Sequence, residues 1–314
     1  MKWPMGAVFK ILAIDGGGIR GIFAAQILKR IKDELKIEFH KEFNLIAGTS
    51  TGSIVAGGLA IDYPIESIVS LYKNEGEKIF QRNYSDRLNW WNWKALLASK
   101  YDSAYLKKTL NGIFKDATLS QTKAKLIIPA SDISNGNVFV FKSNYDPNFV
   151  RDKDTRIADA VLASCSAPTF FNPHRVKEYL LADGGLWANN PSLVALTEAM
   201  GRRFNIPKDD IRILSIGTGI GKKYYDPKDY NKNWGLGRWG VGLVSTIMNL
   251  QSMNVDNIVR FILSEPDRFV RLNYDTDCAA ALDDIRVVDN LIARADKKFT
   301  YSIDIIKKFF KGGN

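Results

Sequence analysis

Apolar positions along this chain fall into two rhythms. Val8-Phe9-Lys10-Ile11-Leu12-Ala13-Ile14 is nearly unbroken and predicts a buried strand. From Gly21 to Leu35 the apolar residues Ile22, Ala25, Ile27, Leu28, Ile31 and Leu35 recur at helical spacing. Phe43-Asn44-Leu45-Ile46-Ala47 predicts a second strand, then comes a sharp turn and a helix to Ala60. Pro64 suits the first turn of a further helix reaching about Phe80. Lys125–Ile128 and Val138–Phe141 predict strands split by the turn signal Ser134-Asn135-Gly136-Asn137. Arg156–Ala163 predicts a helix, Glu178–Ala182 a short strand, Pro191–Phe204 a helix and Ile211–Ile216 a strand. From about Leu236 the pattern is mostly helical apart from Arg268–Leu272. Strands alternating with helices predict an α/β fold around a mainly parallel sheet. There is no internal repeat, low-complexity tract or long linker, so one domain is expected over residues 1–314.

The turn after the second strand is Gly48-Thr49-Ser50-Thr51-Gly52. G-x-S-x-G between a strand and a helix is the pattern of a nucleophile elbow, in which Gly48 and Gly52 allow close backbone approach and Ser50 occupies a strained turn. A serine hydroxyl attacks poorly until another group positions and activates it. The chain has only two histidines to serve as a triad base, His40 before the elbow and His174 in Phe170-Phe171-Asn172-Pro173-His174, which reads as a loop. His40 reads as a surface or turn histidine, and His174 is a triad candidate. If neither is the base, a carboxylate must take the proton directly.

After the first strand comes Asp15-Gly16-Gly17-Gly18-Ile19-Arg20-Gly21, a formal match to G-x-G-x-x-G. A dinucleotide fingerprint also wants an acid at the end of the second strand, and that strand instead runs into Gly48-Thr49-Ser50. The alternative is an anion hole: a glycine-rich turn at a helix N-terminus aims several N–H groups at one spot. Arg20 is placed to orient this loop or to meet a substrate phosphate. A third element is Leu181-Ala182-Asp183-Gly184-Gly185, an acid at a strand end followed by two glycines and then Asn189-Asn190-Pro191.

Together these pieces resemble the patatin-like phospholipase family. The glycine loop, the elbow and the Asp183-Gly184-Gly185 triplet stand in the family's order. Ser164-Cys165-Ser166-Ala167-Pro168-Thr169-Phe170-Phe171 and Ser215-Ile216-Gly217-Thr218-Gly219 also look like it. The resemblance spans a catalytic core of roughly residues 8–220, with a C-terminal helical part over about 235–314. It implies a three-layer α/β/α domain and a Ser–Asp dyad without histidine. Ser50 would be the nucleophile and Asp183 the base, with Gly16, Gly17, Gly18 and Arg20 at the oxyanion hole. No metal or other cofactor is implied. Ser53 stands where many relatives carry a second glycine after the elbow. The implied reaction is ester hydrolysis of membrane phospholipid through an acyl-enzyme. Compact chains of this kind also resemble bacterial anti-phage effectors that cyclic nucleotides switch on. Other readings left open are a constitutive lipid acyl hydrolase or esterase, and a non-catalytic lipid- or nucleotide-binding protein.

Composition narrows the partners. The chain has 314 residues, is 46% hydrophobic and 25% charged, and carries a net charge of +10. That balance favours an anionic partner, whether a membrane surface, nucleic acid or a phosphorylated ligand, and is compatible with the cyclic dinucleotide activator that the resemblance implies. No zinc finger, RNP-like motif or long basic arm is present, so nucleic acid is not expected. The absence of a run of about 18 apolar residues argues against a transmembrane helix. No signal peptide is evident and Cys165 and Cys278 form no metal-spaced cluster, so a cytoplasmic protein peripheral at the membrane's inner face is expected. Whether it forms a homo-oligomer is left open. Asn89-Trp90-Trp91-Asn92-Trp93-Lys94 reads either as a membrane-docking lid or as a cap on the core. Ile303–Lys311 reads either as a basic amphipathic membrane contact or as a docked terminal helix. The stretch after Lys222, with Trp234, Arg238 and Trp239, is a candidate activator site or a channel wall.

Overall fold

A computed structural model describes residues 3–4, 6–79, 101–221, 227–232, 242–276 and 283–311. The Trp90–Trp93 stretch, Trp234, Arg238, Trp239 and Cys278 lie outside the described residues. Strand β1 (Phe9–Ile14) leads through the glycine loop into helix α1 (Gly21–Leu35). The short helix α2 (Phe39–Glu42) precedes β2 (Leu45–Gly48), α3 (Thr51–Ala60) and α4 (Ile65–Ile79). Then follow α5 (Ser103–Phe114), β3 (Leu126–Asp132), β4 (Asn137–Lys142), α6 (Ile157–Ser164), β5 (His174–Val176) and β6 (Tyr179–Asp183). The chain continues with α7 (Gly185–Ala188), α8 (Ser192–Met200), β7 (Ile211–Ile216) and β8 (Ile220–Gly221). It ends with α9 (Gly242–Leu263), β9 (Phe269–Leu272), β10 (Asp275–Thr276) and α10 (Val288–Lys311).

The main sheet has the order β5-β6-β3-β2-β1-β7-β9, and β4 pairs with β3. Its centre is parallel, from β3 through β2, β1 and β7 to β9. The β4, β5 and β6 pairings are antiparallel, so the sheet is mixed but mostly parallel in its centre. β1 shows why its sequence lacks alternation. Leu12 and Ile14 pack into the core beneath α1, α3, α4, α5, α6 and α10, while Phe9, Ile11 and Ala13 pack into a second core with α8 and α9. A strand covered on both faces needs apolar residues at both parities. Three layers result, helices on each side of one sheet.

The register sets the site. Ile14 of β1 pairs with Gly48 of β2 and with Ile216 of β7, so three loops leave the carboxyl edge at one level. β3 does more. Its first residues pair in parallel with β2, and Ala130–Asp132 pair antiparallel with Asp183–Leu181 of β6. β4 occupies the other side of β3 along its whole length. β2 and β6 therefore lie on the same side of β3 and meet carboxyl end to carboxyl end.

The sequence and the structure differ in a few places. Residues 174–176 form β5 on the sheet edge and not a loop. The helix after Pro191 ends at Met200, where Gly201 turns extended (ψ 165°), well short of Phe204. The C-terminal stretch Ile303–Lys311 belongs to α10, whose Leu291, Ala295, Phe299, Ile306 and Phe309 are buried. Burying each large side chain of that stripe is worth roughly 1.5–3 kcal/mol, which holds the helix on the core. Asp296 accepts from Gln26 and pairs with Arg30, and Lys307 pairs with Glu34, tying α10 to α1. No described helix is long and apolar enough to cross a membrane.

Candidate active site

Ser50 sits between β2 and α3 with φ 51° and ψ −127°, a conformation that costs a non-glycine residue about 1–3 kcal/mol and persists only where its surroundings enforce it. The enforcement is visible at the flanking glycines. A Cβ at Gly52 would lie 2.4 Å from the carbonyl oxygen of Ile14, and one at Gly48 would lie 2.3 Å from that of Gly52. The elbow is thus wedged against the end of β1. Ser164 Oγ accepts from Ser50 N–H at 2.9 Å and donates to Pro129 O at 2.6 Å, pinning the turn to β3. Gly52→Ala is expected to lower unfolding free energy by at least about 2–3 kcal/mol, read by chemical denaturation, because the clash is with backbone.

Asp183 ends β6 facing this turn. Ser50 Oγ donates to Asp183 Oδ2 at 2.7 Å. Asp183 Oδ1 accepts from the Gly185 N–H at 2.6 Å, at the first residue of α7, which Gly184 caps. Ser131 Oγ donates to the Asp183 carbonyl at 2.7 Å, fixing the residue from the neighbouring strand. Asp183 is 2% exposed. Burial pushes its carboxyl up to about 6, while the Ser50 hydroxyl and the Gly185 amide pull the other way. Both histidines are engaged elsewhere. His174 Nε2 meets Asp159 Oδ1 at 3.1 Å, and His40 Nδ1 lies 3.2 Å from Asp62.

The glycine loop closes a third side. The Gly16 N–H donates to Asn189 O at 3.0 Å, and Gly16 O accepts from Thr218 Oγ1 at 2.5 Å. A Cβ on Gly16 would lie 3.1 Å from Ser50 Cβ, so loop and elbow touch. Gly18 adopts φ 60° as the chain turns toward α1. Among the described residues the Gly17 and Gly18 amides donate to no acceptor, whereas the Gly16 amide is occupied. Arg20 is buried and its Nε donates back to Gly17 O at 3.2 Å, so it braces the loop from within.

Beside the dyad runs a narrow slot of about 50 Å³. Its walls include Ile19, Ile54, Ile79, Leu106, Phe170 and Met248, with Ser50 and Asp183 also on its lining. Cys165 also borders it, and burial drives that thiol far above its ordinary range. The slot is mostly apolar, with the Ser50 hydroxyl and the Asp183 carboxyl among its few polar groups.

Several supports were not legible from single motifs. Ser164 and Thr218 lie in stretches that stood out in the sequence, but their roles depend on what β3 and the glycine loop bring to them. Arg271 on β9 gave no local signal. Its guanidinium grips Asp15 with both Nη atoms, Nη1 at 2.8 Å from Oδ1, and also donates to Ser215 Oγ at 2.8 Å. Both partners of this pair are nearly fully buried. Such a pair fixes geometry more than it adds stability.

Residues 12–196 match the family described as patatin-like phospholipase. A cGAMP-activated phospholipase of Pseudomonas aeruginosa is 34% identical over 80% of this chain and 74% of its own. A cGAMP-activated phospholipase of Vibrio cholerae is 33% identical over 87% of this chain and 84% of its own. A cUMP-AMP-activated phospholipase of Escherichia coli is 32% identical over 70% of this chain and 67% of its own. With the elbow, the buried aspartate and the glycine loop joined at one sheet edge, and with that match over more than half its length, this chain belongs to the patatin-like phospholipase family.

Proposed function

We propose that the chain is a serine lipid acyl hydrolase that cleaves membrane phospholipid through Ser50 and Asp183, switched on by a cyclic dinucleotide as a bacterial antiviral effector. The observation that carries the catalytic reading is the 2.7 Å hydrogen bond from Ser50 Oγ to Asp183 Oδ2 on the lining of a mostly apolar slot. Ser50 Oγ attacks the ester carbonyl carbon as its proton passes to Asp183 Oδ2. The new oxyanion takes hydrogen bonds from the Gly17 and Gly18 amides, with Gly16 and Arg20 holding the loop. Donors of this kind are typically worth on the order of 10²–10³ each in turnover. The C–O bond then breaks, Asp183 returns its proton to the departing lysolipid alkoxide, and an acyl-enzyme remains. Water attacks next with Asp183 again accepting the proton, and fatty acid leaves as Ser50 regains its hydrogen. A carboxylate near the ordinary 3.8 is a weak base, and one raised to about 6 is better matched to neutral pH.

The regulatory reading is supported by the names of the relatives, activated by cGAMP or cUMP-AMP. The net charge of +10 agrees with both an anionic activator and peripheral contact with an anionic membrane face. The test is fatty-acid release from phosphatidylethanolamine–phosphatidylglycerol vesicles by wild type and Ser50→Ala, with and without each dinucleotide. Release that needs Ser50 and rises at least tenfold with one dinucleotide is expected. Equal release by Ser50→Ala would sink the catalytic reading. Full release without any nucleotide would sink the regulatory one.

A further inference from the structure

Behind the glycine loop, at the carboxyl end of β7 and β9, lies a second cavity of about 700 Å³. That is within the roughly 300–1,000 Å³ of small-molecule sites. Its chemistry is divided. One wall is a stripe of α10, Arg294, Lys297, Lys298 and Tyr301, spaced i, i+3, i+4 and i+7 and so on one helix face. The Tyr301 ring is 81% exposed with the Lys297 ammonium 6.0 Å from its centre, and Arg294 lies 5.5 Å from the Tyr274 ring. Among the described residues Lys297 and Lys298 make no ion pair. The facing wall carries Asn257, Asn273 and the carboxylates Asp256 and Asp275.

A bare phosphate would gain from the first wall and be repelled by the second. A ligand with phosphodiesters at one side and aromatic bases bearing N–H groups at the other satisfies both: lysines and arginine on phosphate, a tyrosine face for stacking, amides and carboxylates for base donors. A comparable basic hollow near Lys41, Lys123 and Arg203 lacks this character. There Lys41 pairs with Glu38, Lys123 with Asp62 and Arg203 with Asp146, and the hollow sits at the amino end of the sheet, away from Ser50.

The cavity is also wired to the oxyanion loop by two routes, one from β9 and one from α9. Arg271, on its lining, holds Asp15. Tyr274 Oη donates to Thr218 O at 3.2 Å, and Thr218 Oγ1 donates to Gly16 O. On the other side Ser252 Oγ accepts from Asn189 Nδ2 at 2.8 Å, and Asn189 O accepts the Gly16 N–H. α9 spans the two sites, with Met248 in the catalytic slot and Ser252 and Met253 in the second cavity. Both routes end on Gly16, next to the amides that would receive the oxyanion.

We propose that this cavity binds the activating cyclic dinucleotide, its phosphodiesters on the Arg294–Lys297–Lys298 stripe and a base on Tyr301, and that binding sets the Gly16–Gly18 loop through Arg271, Tyr274 and Ser252. The assignment rests on the regulatory reading above and adds the site and the route. A ligand that binds more tightly when the loop is in its productive form raises the population of that form by the same factor.

The test is calorimetric titration of the full chain with cGAMP, cUMP-AMP, ATP and inorganic phosphate, paired with the vesicle assay. Wild type is expected to bind one cyclic dinucleotide, and Lys297→Glu/Lys298→Glu to bind it at least tenfold more weakly, with the activation curve displaced by the same factor and an unchanged thermal midpoint. Tyr301→Ala, at a solvent-exposed ring, carries the same test if the double variant fails to fold. Unchanged affinity in a variant that folds would overturn the site while leaving dinucleotide activation standing. Binding of neither dinucleotide by wild type would overturn both. Phosphate binding as tight as the dinucleotide would reduce the cavity to a simple anion site and overturn the nucleotide assignment.

Discussion

Ser50→Ala is expected to lower fatty-acid release by on the order of 10⁴-fold or more, in line with the loss of a nucleophile that works as one unit with its base. The fold should survive. Alanine meets the same backbone constraint at φ 51° that serine does, and Ser50 fills no core position beyond its 2.7 Å bond to Asp183. Losing that hydroxyl leaves Asp183 with the Gly185 amide alone, so its carboxyl moves further upward. Ser50→Gly separates chemistry from strain. Glycine reaches this φ without the steric penalty, so this variant should be as inactive as alanine yet unfold at a higher temperature than wild type. A Ser50→Gly midpoint at or below that of Ser50→Ala would show that the elbow is not strained. Activity within tenfold of wild type in either variant would remove Ser50 from the chemistry.

Asp183→Asn should lose on the order of 10²–10⁴ in turnover, the usual share of proton transfer by a positioned base. Asparagine can still accept the Gly185 N–H through its carbonyl, so the site's shape should persist. The wild-type pH profile follows from the same residue: kcat/KM should rise as Asp183 ionises through about 6. Its stability profile runs in the opposite direction. The folded carboxyl lies above its ordinary 3.8, so the native state holds a proton that the unfolded state has already released. Folding stability linked to Asp183 is therefore complete below 3.8 and lost as pH climbs through about 6. The difference corresponds to about 3 kcal/mol at neutral pH, using 1.36 kcal/mol per pH unit. Asp183→Asn does not titrate there, so its stability advantage over wild type should be near zero at pH 3.5 and approach that value at pH 7.5. Denaturation curves at the two pH values decide it. An advantage that shrinks as pH rises would mean the carboxylate is not desolvated.

The elbow was legible because its signal is local. Strand, G-x-S-x-G and helix are adjacent in sequence, and Gly48 is required by Gly52 and Ala56 within the turn and its helix, although Gly52 answers to the end of β1. The glycine loop was legible for the same reason, although the occupied Gly16 amide was not, since its acceptor Asn189 lies far along the chain. Strand direction was the harder matter. Apolar runs mark β3, β4 and β6 but carry no sign of orientation, so the antiparallel edge emerged only from pairing. Helix α5 had a readable signal that went unused: Asp102 accepts from Ala104 N–H as its cap, and Leu106, Leu110, Ile113 and Phe114 form its buried stripe. The Arg271–Asp15 pair joins residues 256 positions apart, and nothing short of the folded sheet brings them together.

The meeting of β2 and β6 beside β3 also sets a timetable. Ser50 and Asp183 are 133 residues apart, so a growing chain carries the elbow long before the carboxylate that meets it is synthesised. β3 must be in place to receive both strand ends, and the Asp15 clamp waits for Arg271, later still. The arrangement of Ser50, Asp183 and the glycine loop is thus completed only after β3, β6 and β9 have all been made, and no shorter nascent chain can hold it.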